Sequence, residues 1–446
     1  MIEGKQTVVK SGEAVTAEGY IIHRRKALVV GHQWLICARC GEQTRKQKGQ
    51  LPAGFYYCPA CVFYGRLTDL DELVTYYEEN PTPPLTEVAC CQWEGQLTKQ
   101  QQQLAQALQE AFINGQNVLL WAVTGSGKTE MLFPVIADAL KAGLKVAVAT
   151  PRIDVCRELF PRLVAAFPLA ETLLRYGKAE ESWRGFRLLV CTTHQLLHFY
   201  RGFSLLIIDE SDAFPYEGNR QLAFVTQLAF ATQQAVKTSG VSIYLTATPT
   251  MALLAKAKAE NWQILQLPQR YHQRPLILPQ CRFWEGWRLL PERPRQLLRF
   301  RKLCEKLLQN NRLLVFCPNI AYMHSLAQAL KAVMPSRKIA AVSAQDATRE
   351  EKVQKMREGH WDLLLTSTVL ERGVTFADVS VIVIGAEHAV FTKSVLVQIA
   401  GRVDRKGAFN HGQVWFLFQE QTTSIRRALK EIRHLNRLAA RMAVKK

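Results

Sequence analysis

The stretch that decides the fold is Ala122-Val-Thr-Gly-Ser-Gly-Lys-Thr129. It follows a short apolar run that predicts a strand and precedes a segment with apolar residues at helical spacing. Small residues in such a turn let backbone N–H groups surround phosphates, with Lys128 reaching the β- and γ-phosphates and the Thr129 hydroxyl ligating Mg²⁺. Ala122 stands where the complete motif has glycine. The predicted ATP-binding residues of this loop are Gly125, Ser126, Gly127, Lys128 and Thr129.

A second chemical signal is the acidic sequence Asp209-Glu210-Ser211-Asp212, which follows the apolar run Leu205–Ile208. A carboxylate at the carboxyl end of a parallel strand lies beside the phosphate loop. We therefore expect Asp209 to hold Mg²⁺, directly or through water. Glu210 is expected to orient and activate the attacking water, because phosphoryl transfer depends mainly on positioning and charge neutralisation.

Around these motifs, short apolar runs alternate with helical segments, which is typical of parallel sheets with helices on both faces. The first predicted series of strands is 118–123, 145–150, 188–192, 205–209 and 241–246. The pattern restarts with 312–317, 339–342, 363–366, 379–384 and 413–418. We predict an α/β protein with two parallel-sheet lobes, at residues 91–270 and 271–446, preceded by a small module at residues 1–90. The proline-containing stretch 80–84 is the predicted linker after that module.

Composition narrows the class of protein. The chain has 446 residues with 57 Lys and Arg against 38 Asp and Glu, a net charge of +19, which indicates a polyanionic partner such as nucleic acid or an acidic membrane surface. Two segments are especially basic, residues 270–312 and the tail from residue 421, where apolar residues at helical spacing predict a packed helix. We expect no membrane-spanning segment and no secretion signal. Eleven cysteines in such a chain favour a reducing cytosol over a disulfide framework.

The N-terminal module carries two Cys-x-x-Cys pairs separated by 17 residues, which is typical of a tetrahedral thiolate site for zinc. The predicted zinc ligands are Cys37, Cys40, Cys58 and Cys61. Four thiolates leave no open position, so we interpret the zinc as structural. Neighbouring basic residues would make the module a DNA-binding element, with solvated surface charge as the alternative. Other cysteines, Cys281 among them, are expected to be small core residues.

Taken together, the motifs of residues 95–410 resemble those of superfamily 2 helicases and translocases. The matching stretches are Leu97–Gln101, Thr150–Arg152, Thr192–Gln195, Thr246–Pro249, Val315–Asn319, Thr366–Thr375 and Gln398–Arg405. The resemblance implies that Gln101 reads adenine and that Gly373 binds nucleotide. Arg402 and Arg405, three apart on one face of a predicted helix start, would act as arginine fingers on the γ-phosphate.

The same resemblance implies a nucleic-acid track that mainly contacts the sugar–phosphate backbone. Arg152, His194 and Thr368 are the predicted contacts, and a structural hydrogen-bonding role is the alternative for His194. Within the basic segment 270–312, Tyr271, Trp284 and Trp287 either stack on bases or pack the segment against a lobe.

A four-cysteine module ahead of a short two-lobe motor is similar to the ComFA family of competence-associated DNA translocases. Residues 150–156, 193–197 and 208–216 resemble that family's forms of the motifs, although Ser211 departs from its usual residue. The resemblance implies a single-stranded-DNA-stimulated ATPase in the cytoplasm, at the inner face of the membrane, that works with ComFC and the ComEC channel. Alternatives are a PriA-like replication-restart helicase and a nucleic-acid-binding protein for which ATP is only a switch.

Overall fold

The computed structural model describes residues 1–79, 83, 85, 91–177, 183–212, 230–343, 345–367, 376–404 and 411–444. The described chain forms two compact units. The first contains residues 1–120 and 128–265, and the second contains residues 121–127 and 266–446. None of the described helices is long and apolar enough to cross a membrane.

The N-terminal module consists of two small antiparallel sheets within the first unit. One sheet has the order β1-β6-β2 and the other the order β3-β4-β5. Their strands are β1 (Gln6–Lys10), β2 (Tyr20–Lys26), β3 (Leu28–Val30), β4 (Trp34–Cys37), β5 (Gln43–Arg45) and β6 (Asp71–Glu78). The hairpin β4–β5 carries the first cysteine pair at its turn, and a 3₁₀ helix, Pro59–Tyr64, carries the last of the four cysteines. Most of the predicted linker 80–84 lies outside the described residues.

A seven-stranded sheet follows, with the order β13-β7-β12-β11-β8-β10-β9. Its strands are β7 (Val118–Ala122), β8 (Val146–Thr150), β9 (Thr172–Arg175), β10 (Leu188–Thr192), β11 (Phe203–Ile208), β12 (Val236–Thr246) and β13 (Gln263–Leu267). The described helices are α1 (Lys99–Ile113), α2 (Lys128–Met131), α3 (Phe133–Lys141), α4 (Ile153–Ala166) and α5 (Met251–Ala259). Strands β8, β10 and β11 are buried along nearly their whole length, as expected for central parallel strands covered on both faces.

The second unit contains a six-stranded, fully parallel sheet with the order β14-β19-β18-β15-β17-β16. Its strands are β14 (Gln280–Phe283), β15 (Arg312–Phe316), β16 (Ile339–Val342), β17 (Leu363–Thr366), β18 (Val379–Ile384) and β19 (Val414–Phe418). Its helices are α6 (Pro294–Leu307), α7 (Ile320–Val333), α8 (Arg349–Arg357), α9 (Lys393–Ala400) and α10 (Thr423–Val444). Helix α10 buries Ile425, Leu429, Ile432 and Leu435 in the core and leaves its basic face exposed.

These sheets confirm the predicted fold class: an α/β protein with two RecA-like parallel-sheet lobes and an N-terminal four-cysteine module. Of the two alternatives for Trp284 and Trp287, packing against a lobe is confirmed, because they are 0% and 2% exposed and lie in the core of the second unit. The expectation for Cys281 is wrong, because this residue is exposed on the edge strand β14 and is not a core residue. The lobe boundaries at residues 90 and 270 stay a prediction.

Candidate functional site

The phosphate loop is the turn between β7 and α2. Gly125 and Gly127 have φ of 78° and 73°, a conformation that costs glycine little and residues with a Cβ considerably more. Lys128 is the first residue of α2, and Ser126 between the two glycines is buried. Alternating backbone conformations of this kind turn successive N–H groups toward one concave face, which suits an anion. The predicted phosphate-binding residues therefore lie in the local geometry that their role requires.

The acidic sequence begins directly after β11, in the middle of the seven-stranded sheet. The Asp209 backbone N–H donates to the Ala149 carbonyl at 2.8 Å, and one Asp209 carboxylate oxygen accepts from the Glu210 N–H at 2.8 Å. Thr129 and Asp209 line the same small cavity. The structure thus brings together the hydroxyl and the carboxylate that the sequence predicts as magnesium ligands. Oxygen donors of these two kinds fit Mg²⁺, which neutralises phosphate charge when bound.

Glu210, the predicted activator of water, has a left-handed backbone with φ of 53°. Residues without glycine's freedom keep such a conformation only where the surrounding structure enforces it, and functional sites are enriched in them. The Arg152 Nε lies 3.8 Å from a Glu210 carboxylate oxygen. The structure therefore places a predicted nucleic-acid contact beside a predicted catalytic residue.

Asp212 belongs to the same network, although sequence reasoning gave it no role. Its carboxylate accepts a hydrogen bond from the Thr248 hydroxyl, and both side chains are buried. The Thr248 N–H donates to the Thr246 hydroxyl at 3.0 Å. These bonds join the acidic sequence to the Thr246–Pro249 stretch, which in superfamily 2 helicases links hydrolysis to lobe movement. The position of Asp212 at the end of the acidic sequence is the sequence feature from which this contact could have been predicted.

Gln101 lies in the first turn of α1 and is 2% exposed. Its side-chain oxygen accepts from the Thr98 N–H at 2.8 Å, while the Thr98 hydroxyl accepts from the Gln101 N–H at 3.3 Å. This reciprocal pair is a capping box. Gln101 therefore stabilises the start of α1, and its reading of adenine stays a prediction.

The arginine motif begins in α9 and continues into the turn after it, where Arg402 is 5% exposed. The prediction that Arg402 lies at the start of a helix is wrong, because α9 ends at Ala400 and Arg402 follows it. Arg405 and Gly373, predicted to bind nucleotide, lie outside the described residues, as does the predicted nucleic-acid contact Thr368. Three rings of the basic segment were considered for stacking on bases: Tyr271, Trp284 and Trp287. Of these three, Tyr271 is exposed to solvent, at 58%.

The four predicted zinc ligands form a buried cluster whose sulfurs all lie within 4.8 Å of one another. The Sγ atoms of Cys37 and Cys61 are 3.7 Å apart, and those of Cys40 and Cys58 are 3.6 Å apart. Such separations are too long for a disulfide bond. Four sulfurs about 2.3 Å from one zinc in tetrahedral geometry would be separated by roughly 3.8 Å. The cluster therefore fits a zinc ion held by four thiolates.

Arg39 supports the cluster from inside the module, where it is 4% exposed. Its Nε donates to the Cys61 sulfur at 3.4 Å. Hydrogen bonds from the other cysteines, Cys37 first, together with the nearby guanidinium hold the pKa of Cys61 well below its usual range. A thiolate is the form that ligates metal, so the environment of Cys61 favours the required protonation state.

The zinc module is packed against the rest of the first unit. The cysteines share one hydrophobic core with residues of β8, β10 and β11. The Gln234 side chain donates to the Arg39 carbonyl at 2.6 Å, and the Tyr64 ring stacks on His194 at 6.1 Å. Burial lowers the pKa of His194 below its ordinary value. The contact with Tyr64 gives His194 a packing role, and its nucleic-acid contact stays a prediction.

Relatives of the whole chain are competence proteins. The chain is 38% identical over 437 residues to Competence protein ComFA of Bacillus subtilis (strain 168), covering 95% of this chain and 90% of that protein. It is 39% identical over 412 residues to Competence protein ComFA of Streptococcus pneumoniae (strain ATCC BAA-255 / R6), covering 91% of each. The chain belongs to the ComFA family. A weaker similarity links it to Replication restart protein PriA of Rickettsia typhi (strain ATCC VR-144 / Wilmington), 25% identical over 40% of this chain and 28% of that protein.

Two family models match separate parts of the chain. Residues 98–255 match the DEAD/DEAH box helicase family and residues 298–407 match the helicase conserved C-terminal domain. Among solved structures, Saccharomyces cerevisiae Dbp5 bound to RNA and ADP BeF3 matches with a TM-score of 0.54 at 15% identity, covering 76% of this chain and 91% of that one. This likeness supports the fold. Together, the family and its helicase domains make this ComFA-family chain an ATP-hydrolysing enzyme of the helicase type.

Proposed function

We propose that this helicase-type ATPase is a translocase on single-stranded DNA that drives DNA uptake during competence. The observation that carries the proposal is membership of the ComFA family over 95% of the chain, and the left-handed glycines of the phosphate loop and the cavity shared by Thr129 and Asp209 support it. The net charge of +19 supports a nucleic-acid partner.

In this proposal each site residue has one role. Residues Gly125–Thr129 bind the ATP phosphates, Thr129 and Asp209 hold Mg²⁺, and Glu210 orients the attacking water. Arg402 and Arg405 stabilise the developing charge on the γ-phosphate. The remaining proposed nucleotide contacts are Gln101 and Gly373, and the proposed DNA contacts are Arg152, His194 and Thr368.

The ion pair between Arg152 and Glu210 supports a link between DNA and hydrolysis. A DNA phosphate that binds Arg152 competes for the guanidinium that now lies 3.8 Å from the Glu210 carboxylate. In this proposal the competition moves the Glu210 carboxylate toward the attacking water, and turnover rises when DNA is bound. DNA-stimulated hydrolysis is the behaviour that a translocase requires.

We further propose that the zinc is structural, because four thiolates complete its coordination. ComFC and the ComEC channel are the proposed partners, and the inner face of the cell membrane is the proposed site of action. These assignments rest on the family resemblance. The runner-up is a PriA-like replication-restart helicase, which the partial similarity to PriA favours.

ATPase activity measured in parallel against single-stranded DNA, duplex DNA and RNA tests the proposal. We expect single-stranded DNA to raise the rate at least about tenfold, and the stimulation to fall steeply between roughly 50 and 200 mM salt because phosphate contacts release counterions. Stimulation by RNA alone would indicate an RNA helicase. A rate that ignores every nucleic acid would contradict the translocase proposal and favour ATP as a switch.

A further inference from the structure

The segment Arg270–Arg274, which the motif comparison left without a role, contacts the turn that carries the arginine motif. Arg270 is 2% exposed. Its guanidinium donates to the carbonyl oxygens of Val403 and Asp404 at 2.8 Å each and of Gly401 at 3.1 Å. These three acceptors surround Arg402 in sequence. One buried side chain therefore fixes the backbone on both sides of Arg402.

Arg274 and His272 of the same segment contact Asp404, whose side chain is fully buried. The Arg274 Nε donates to the Asp404 carboxylate at 2.8 Å. The His272 Nε2 lies 2.8 Å from the Asp404 carbonyl, while its Nδ1 accepts from the Arg274 N–H at 3.2 Å. A ring that accepts at Nδ1 and donates at Nε2 is the neutral tautomer. Burial, which lowers the pKa of His272, favours that neutral form.

The same segment also contacts the phosphate-loop residues that belong to the second unit. The Tyr271 N–H donates to the Gly125 carbonyl at 3.0 Å. Gly401 lies so close to Thr124 that a Cβ added to it would be 1.9 Å from the Thr124 hydroxyl oxygen. Within the second unit, Arg270–Arg274 therefore contacts both the glycine turn of the phosphate loop and the turn that carries Arg402.

We propose that Arg270 and Arg274 are positioning residues for ATP hydrolysis. They hold the turn at residues 401–404, called the arginine turn below, in place beside Thr124 and Gly125 of the phosphate loop. The inference rests on the proposed role of Arg402. Arginine fingers contribute through placement, and an error of about 1 Å in such a group can cost about 100-fold in rate. Arg270 contacts the three carbonyls from two nitrogens, Nη1 and Nη2, and the single nitrogen of a lysine ammonium does not reproduce this spacing.

Two variants test the inference, Arg270→Lys and Arg274→Gln, with Arg357→Lys as the control. Arg357 is exposed at the end of α8, outside both basic segments and outside the proposed ATP, DNA and zinc sites. At saturating single-stranded DNA we expect kcat to fall at least about tenfold in Arg270→Lys while KM for ATP changes less than about threefold. Arg274→Gln, which keeps the buried Arg270, should show a smaller loss of the same kind. The control should match the unaltered protein.

A double-variant cycle with Arg402→Ala separates positioning from general stability. If Arg270 acts through the arginine turn, adding Arg270→Lys to Arg402→Ala should lower kcat little further. If the kcat losses of Arg270→Lys and Arg402→Ala multiply in the double variant, the inference is overturned and the role of Arg402 is not. Unaltered kcat in both Arg270→Lys and Arg274→Gln would have the same consequence. Wild-type turnover in Arg402→Ala would overturn the role of the arginine turn and this inference with it. The melting temperature of each variant shows whether a loss of turnover results from unfolding. If Arg270→Lys is unfolded, the kcat of Arg274→Gln decides whether the inference holds.

Discussion

Replacing Lys128 with alanine is expected to abolish ATP hydrolysis while most binding to single-stranded DNA remains. Lys128 opens α2 directly after the two left-handed glycines of the phosphate loop, and in its proposed role its ammonium binds the phosphates of ATP. Without that charge, the negative charge that develops on the β- and γ-phosphates is poorly neutralised. We expect a loss of at least about 1,000-fold in steady-state turnover, since groups that stabilise transition-state charge contribute on this scale.

The matched control is Lys258→Ala, which removes an exposed lysine from α5 in the same unit. It should hydrolyse ATP like the unaltered protein. DNA affinity measured in the absence of nucleotide should be similar for all three proteins, because the proposed DNA contacts are other residues. Turnover by Lys128→Ala equal to that of the control would refute the assignment of the phosphate loop.

The central strands of both sheets could be predicted from sequence because they are buried on both faces. The runs that become β8, β10 and β17 are almost wholly apolar, and nearly all of their residues are buried. In the described part of these two sheets, the strands that were missed are β9, β13 and β14. All three lie at the edge of a sheet, where half-exposed residues such as those of β14 weaken the apolar signal.

The local geometry around the predicted site residues could be inferred from sequence, because each motif determines its own turn, while their chemical roles stay predictions. Residues close in sequence form the glycine turn, the acidic end of β11 and each of the two cysteine pairs. Gln101 shows the opposite case, since a helix cap and an adenine contact use the same residue type at the same place. Arg270 was missed because its partners lie more than 130 residues away, and no local pattern encodes carbonyl acceptors.

The buried tryptophans show why composition alone left two interpretations of the basic segment open. Arginines flank Trp284 and Trp287 in sequence, which is also the pattern of a nucleic-acid surface. In the structure the guanidinium of Arg299 lies 4.7 Å from the Trp284 ring centre, and that of Arg288 lies 4.8 Å from the Trp287 ring. The arginines cover the rings and leave their own charge toward solvent. The arginines therefore form an exposed basic surface, and the two tryptophan rings are part of the hydrophobic core.

Cys58→Ser is expected to lose the zinc and to destabilise the whole first unit. The four cysteines belong to the same hydrophobic core as Leu173 and Leu206 of the seven-stranded sheet, so the module cannot loosen alone. Structural zinc in small modules contributes about 10–16 kcal/mol of apparent binding free energy, which becomes folding free energy. We expect about one zinc per chain in the unaltered protein and a melting temperature several degrees lower in Cys58→Ser, as a loss of a few kcal/mol produces.

The control for this variant is Cys91→Ser, which removes a half-exposed thiol outside the cluster. It should keep one zinc per chain by elemental analysis, together with the melting temperature of the unaltered protein. Removal of metal from the unaltered protein by a chelator should reproduce the low melting temperature of Cys58→Ser. Protein purified without chelator that contains no zinc would reject the four-thiolate site. Metal content unchanged in Cys58→Ser would show that the ion is held elsewhere, because three buried sulfurs and a serine hydroxyl form a much weaker zinc site than four thiolates.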